Sequence, residues 1–128
     1  MKAETNSAIS DLTGDQLLRA LSALANPQRL RILAALASGR DYVSRLAREI
    51  GMSRPLLHMH LRRLEAAGLV RGQLELSEDG KAMKYFEVTP FAISLSPAII
   101  AAAVKTLREE AGEHESKAPR GAESGGNE

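Results

Sequence analysis

The sequence predicts a mainly α fold with a small β-hairpin, and three observations carry that expectation. Apolar residues recur at helical spacing in four runs between Leu17 and Leu64, each bounded by capping, proline or glycine signals. Beyond Gly68 the period changes to alternation on both sides of Ser77-Glu78-Asp79-Gly80, the mark of two strands and a turn. A last apolar run follows Ser96-Pro97, a hydroxyl N-cap and a proline suited to a first helical turn.

In the first run, LTGDQLLRALSALA, Leu17, Leu21 and Leu24 share a helical face, and Thr13 with Gln16 supplies a capping box. Asn26 and Pro27 open the second helix, PQRLRILAALAS, which Gly39 can end. Its Leu30, Ile32, Leu33 and Leu36 cover more than one side, so it is expected to sit centrally. Val43, Leu46, Ala47 and Ile50 form a one-sided third helix with Asp41 as N-cap and Gly51 as left-handed stop. Ser53 then caps a fourth helix that takes Pro55 in its first turn and ends at Gly68, with Leu57, Leu61 and Leu64 on its buried face and His60 beside them. Two short helices joined by a glycine-containing turn make a helix-turn-helix, and the hairpin after it makes a winged helix. A final helix is expected from Pro97 to about Ala111.

The 128 residues suit one domain of ordinary size. From Gly112 onward the chain is rich in glycine and holds no large apolar residue, so residues 112–128 read as a disordered tail and residues 1–12 as a disordered arm around an ordered body of 13–111. The formal net charge of +1 conceals an uneven distribution. Residues 27–87 hold eleven Lys/Arg against seven Asp/Glu, net +4, between ends of −1 and −2.

The absence of cysteine excludes disulfides, thiolate nucleophiles, iron–sulfur clusters and thiolate zinc sites. No secretory h-region is visible near the start, and the longest apolar run, Ala98 to Val104, is too short to span a bilayer, so a soluble cytoplasmic protein is expected. No serine stands with a histidine and a carboxylate in a catalytic pattern, no glycine-rich phosphate loop occurs, and Glu109-Glu110 reads as a solvated helix end. Neither an enzyme nor a cofactor is expected. A metal site is not expected either: His58 and His60 point about 200° apart on one helix, and His114 lies in the glycine-rich tail.

The fourth helix carries Arg54, His58, Met59, Arg62 and Arg63 outside its leucine stripe and meets no acidic residue until Glu65. On the second helix of a helix-turn-helix, such a face suits the DNA major groove. Ser53 and the helix-start N–H groups can hold a phosphate, Arg54 can bond a guanine edge, His58 can donate or accept, and Arg62 and Arg63 are placed for phosphates. His60 is either a packing histidine or a phosphate contact. On the hairpin, Lys81 and Lys84 can follow the phosphates, while Glu75, Glu78 and Asp79 leave open a plain solubilising turn. The last helix aligns Ile100, Val104, Leu107 and Ala111, too apolar for a helix outside a three-helix core, and the first helix offers Leu17 and Leu21 beside it. A homodimer through these helices is expected, with two recognition helices on a palindromic operator. The competing expectation is a winged-helix protein-interaction module that does not read DNA.

Together ANPQRLRILAAL, VSRLAREIGMSRPLLHMHLRRLEAAGLV and the hairpin ending KYFEV resemble the ArsR-like winged-helix transcription regulators of bacteria and archaea, over roughly residues 17–91. The resemblance implies dimers whose first and last helices pack together, a repressor role, and a recognition helix exposing Arg54, Leu56, His58, Met59 and Arg62. Leu56 and His58 depart from the small polar residue and the serine usual at their positions, so base preference does not transfer. Many members release DNA on binding metal or arsenic through cysteines, or through histidine and carboxylate pairs on the last helix; this chain has neither set. The effector stays open among a small apolar ligand between subunits near Leu95, Ile99 and Ile100, a protein partner, a pH response through His58 and His60, and none.

Overall fold

The computed structural model describes residues 12–108. Thr13 opens α1 (Gly14–Leu24) with the expected capping box: its hydroxyl accepts from the Gln16 amide at 3.1 Å, and the Gln16 side chain accepts from the Thr13 amide at 2.9 Å. Asn26 caps α2 (Pro27–Ala37) by accepting from the Gln28 and Arg29 amides at 2.9 and 3.1 Å. Ile32, Leu33 and Leu36 face inward from α2, but Leu30 is 52% exposed. It lies about 60° around the helix beyond Leu33, the nearest edge of the buried arc, and about 160° from Ile32 at the far edge, so one helix face cannot bury all four.

Asp41 does not cap the third helix. Asp41–Tyr42 form a short strand, β1, pairing antiparallel with Phe86 and Tyr85, so the N-cap of α3 (Val43–Ile50) is Tyr42, without a side-chain bond. Ladder bonds to the wing take the backbone that a cap would use; the Asp41 carboxylate instead accepts from the Tyr42 amide at 2.9 Å and pairs with Arg45 at 3.5 Å. Gly51 ends α3 at φ 80°, ψ 44°, the left-handed conformation expected, and the Gly51 and Met52 amides both donate to the Ala47 carbonyl.

The fourth helix, α4 (Arg54–Ala66), follows at once, capped by Ser53. The Leu69 amide bonds back to the Leu64 carbonyl at 2.9 Å and turns the chain directly into β2 (Val70–Leu76). β2 pairs with β3 (Ala82–Val88) in continuous antiparallel register from Val70↔Val88 to Leu76↔Ala82, around the expected turn. The sheet order is β1-β3-β2, with β3 central.

The last helix, α5 (Pro97–Val104), is capped by Ser96, whose hydroxyl accepts from the Ile99 amide at 3.1 Å. It stops short of the expected end near Ala111. The Lys105, Thr106 and Leu107 amides bond carbonyls only three residues back, and the Thr106 hydroxyl donates to the Ala103 carbonyl while accepting from the Gly14 amide at 2.7 Å. This tie draws the chain onto the start of α1 rather than onward as helix. Apart from Leu12, the expected arm lies outside the described residues, as do residues 109–111 and the expected tail.

Ile32, Leu36, Leu46, Leu57, Leu61, Leu64, Leu69 and Val70 are fully buried and join α2, α3, α4 and the root of the wing in one core. Each of these large side chains contributes about 1.5–3 kcal/mol through removal from water. The core thus holds the fourth helix from beneath and leaves its outer face free.

Candidate nucleic-acid interface

Leu57, His60, Leu61 and Leu64 bury one arc of α4, centred on the leucine stripe. Opposite that arc lie Pro55, Met59, Arg62 and Ala66, with Arg54 on one flank and Leu56 and Arg63 on the other, all exposed. His58 is half-buried beside Arg54. The outward stripe is therefore cationic and apolar together, with Leu56 41% and Met59 38% exposed. Arg54, Arg62 and Arg63 form no ion pair among the described residues, so their charge is available to an incoming anion.

Rigidity comes from both ends of α4. At the start, the Ser53 hydroxyl accepts from the Leu56 amide at 3.3 Å, and the exposed Ser53 and Arg54 stand at the mouth of the helix, where unbonded N–H groups favour a phosphate. At the far end, the Thr89 hydroxyl donates to the Gly68 carbonyl at 2.7 Å and ties the helix exit to the residue that follows β3.

His60, expected as a packing histidine or a phosphate contact, is not on the exposed face of α4. Only 5% exposed, it accepts at Nδ1 from the Arg29 Nε at 3.1 Å, which makes it a neutral imidazole bearing its proton on Nε2. Burial first, then the Arg29 and Arg63 charges, holds its pKa below the ordinary histidine value. It is a packing residue that locks α4 against α2. Arg29, which no local motif in the sequence marks, is the partner of His60 that emerges only when α2 and α4 are packed.

The wing presents Lys81 and Lys84 on its exposed side. Lys84 lies with its Nζ 5.4 Å from the Phe86 ring centroid. Arg71 pairs with Glu87 at 2.8 Å and Arg40 with Glu75 at 3.2 Å, so those arginines are already matched. The Tyr42 hydroxyl donates to Glu75 at 2.7 Å and Arg40 stacks 3.9 Å from the Tyr85 ring centroid, bracing the wing against β1. This hydrogen bond from Tyr42 is the largest influence holding the Glu75 carboxyl below the usual carboxylate range. The wing tip stays mixed in sign, with Glu78 and Asp79 exposed near Lys81.

On the opposite side, α5 packs against α1 but buries only Ala103, leaving Ile99, Ile100 and Val104 exposed at 38%, 46% and 54%. Leu107 is half-buried against Gly14. Leu17, expected at a subunit interface, is instead 8% exposed within the chain itself, because it falls on the inward face of α1; Leu18, at 41%, takes the outward position, and Leu21 is half-buried. Two clefts among the described residues lie along α1 and α4, and neither is lined by Leu95, Ile99 or Ile100. Among the described residues there is no group of three His, Asp or Glu side chains able to hold a metal ion, and His114 lies outside them. No described helix is long and apolar enough to cross a membrane.

Comparison with known proteins adds to this geometry. The profile of the bacterial regulatory protein arsR family matches residues 26–71. Among solved structures, the crystal structure of a possible transcriptional regulatory protein (fragment 1-100) from Mycobacterium bovis aligns at 28% identity and TM-score 0.52, over 71% of this chain and 86% of that one. A solution structure from the same organism, of the homodimeric winged helix-turn-helix DNA-binding domain of a possible ArsR-family transcriptional regulator, aligns at 28% identity and TM-score 0.50, over 78% of this chain and 84% of that one. Reduced HlyU from Vibrio cholerae shares the fold at 23% identity and TM-score 0.50, over 71% of this chain and 84% of that one. No curated protein matches the chain.

Proposed function

Because the chain is ArsR-like across its winged helix-turn-helix, we propose that it is a homodimeric, sequence-specific DNA-binding transcription regulator that acts as a repressor in the cytoplasm. The observation that carries this reading is the outer face of α4, where Arg54, Arg62 and Arg63 stand exposed without carboxylate partners among the described residues, on a helix fixed from below by three fully buried leucines. In the major groove Arg54 reads base edges, the Ser53 end of the helix holds a phosphate, and Arg62 and Arg63 span the backbone. Leu56, Met59 and the half-buried His58 supply apolar and polar contacts to base edges. Lys81 and Lys84 follow the neighbouring phosphates from the wing and add affinity without sequence information.

The unburied apolar residues of α5, with Leu18 of α1, supply the dimer contact, in which Ile100, Val104 and Leu107 meet the same surface of a second copy about a two-fold axis. The symmetry presents two α4 helices to a palindromic operator, and an occupied operator blocks transcription. One winged unit over 13–111, with dimerising ends, an arm before it and a tail after it, is the domain organisation that goes with this role. Selection of bound duplexes from a random pool tests it: a palindromic consensus with half-sites about one helical turn apart is expected, and recovery of unselected sequence contradicts it.

A protein-interaction module without DNA readout draws support from Leu74 and Leu76, each 71% exposed on the wing beside the acidic tip. Light scattering separates the two, since a monomer with no duplex affinity is the expected behaviour of that module.

A further inference from the structure

A cleft of about 700 Å³ opens between the last turns of α1 and the outer half of α4, away from both the wing and the apolar α5 surface. Its walls bring four guanidinium-bearing side chains together, Arg19 from α1, Arg29 from α2, and Arg62 and Arg63 from α4, over apolar ground that includes Ala23 and Met59. One carboxylate, Glu65, also lines it, and none of the four arginines is in an ion pair among the described residues. Four like charges around a concave apolar floor repel one another unless an anion joins them, and the volume falls within the roughly 300–1,000 Å³ of pockets that take small organic ligands.

Arg29 is held ready for such a ligand. Its Nε donates to His60 Nδ1 at 3.1 Å and its Nη1 reaches the Ser22 and Ala23 carbonyls at 3.5 Å, which fixes the plane of the guanidinium while leaving further N–H donors unused by described acceptors. Buried His60 behind it contributes no opposing negative charge.

We propose that this cleft binds a small amphipathic anion, a carboxylate or phosphate monoester on an apolar body, and that its occupancy weakens DNA binding. The anionic head is gripped by the arginines in the forked geometry guanidinium favours, and the body covers Ala23 and Met59. The coupling rests on the reading of α4 as the DNA-reading helix: Arg62 and Arg63 line both surfaces, so a ligand that neutralises them removes phosphate contacts from the same helix.

Titration calorimetry of the full chain with decanoate, naphthoate and phenyl phosphate, beside decanol and inorganic phosphate, tests the site. At least one amphipathic anion is expected to bind at about 1 mM or tighter, with decanol and inorganic phosphate about tenfold weaker or more. Arg19→Glu and Ser22→Trp, both at exposed cleft positions outside the proposed DNA face, are each expected to weaken that binding about tenfold or more while keeping wild-type affinity for a duplex. Added anion should loosen the duplex from the wild type but not from Ser22→Trp. Failure of all three anions to bind, or equal binding to both variants, overturns the site; loss of duplex affinity in Arg19→Glu overturns it in favour of a DNA-phosphate contact. If no duplex binds at all, the reading of α4 fails and the coupling with it, while the anion titrations still decide the cleft.

Discussion

The α4 face and the α1/α5 face are built on opposite plans. α4 sends three leucines wholly into the core and leaves arginines outside, whereas α5 buries only Ala103 and leaves isoleucine and valine in water. The first surface is complete within one chain: its charge is exposed at little cost because the guanidiniums stay hydrated. The second is unfinished, since an exposed contiguous apolar surface gains free energy only when another surface covers it. One chain thus carries a rigid cationic face and an uncovered apolar one, and the proposed homodimer would use both.

Substitution beneath the cationic face should have the largest effect. Leu61→Ala is expected to lower stability by about 2–5 kcal/mol, the cost of a cavity at a fully buried site, seen as a lower urea midpoint. Ile100→Ala, at a 46% exposed position, is expected to leave the monomer's urea midpoint nearly unchanged and instead to raise the protein concentration at which the proposed dimer forms, so that melting at low concentration depends less on protein concentration than in the wild type. Equal losses from the two substitutions would erase the contrast.

Gly14→Ala comes next, because it strikes the apolar face from within. An added methyl at Gly14 meets the Ala103 carbonyl oxygen and the Leu107 side chain, whose Cδ2 lies 2.8 Å from its position. Overpacking of about 1–3 kcal/mol is expected, with a weaker dimer because α5 is pushed from α1; sedimentation velocity reads the second effect. An unchanged melting temperature and dimer constant would show that the α1–α5 contact gives way freely.

The acid response is smaller and belongs to the packing beneath α4. His60 is neutral and its pKa is held below its ordinary value of 6.5 by burial, Arg29 and Arg63, in that order. The unfolded chain therefore takes up a proton before the folded one does, so this stabilising contribution is intact above about pH 6.5 and is lost as the pH falls below it. His60→Gln should flatten that part of the stability–pH curve; an identical acid slope in the variant would place the response elsewhere. The smallest effect is Arg71→Ala, which removes an exposed pair with Glu87 and is expected to cost about 1 kcal/mol or less in a urea titration.

The contrast also explains what the sequence revealed. The helices, the wing and the α4 stripe were legible because capping residues and apolar spacing are local signals: Thr13, Asn26, Gly51 and Ser53 all act where the sequence places them. Asp41 was not, because its role is settled by a ladder with Phe86, far along the chain. His60 shows why a basic helix face needs packing to be read: it sits only one helical position from exposed Met59, yet faces Arg29. The four-arginine cleft was equally hidden, since Arg19 and Arg29 meet Arg62 and Arg63 only through the angle between α1, α2 and α4. Leu17 and Leu18 differ by one residue and by which surface they serve, a distinction that amphipathic spacing alone left to Leu17.

The most direct measurement is fluorescence anisotropy of the selected duplex with the wild type and with Arg54→Ala/Arg62→Ala, across a salt series. If the α4 face reads DNA, the wild type binds with log affinity falling steeply against log salt, and the double variant loses affinity with a slope shallower by about 0.9 for each phosphate contact removed. Unchanged affinity, slope and preference for the selected sequence in the double variant would contradict the account.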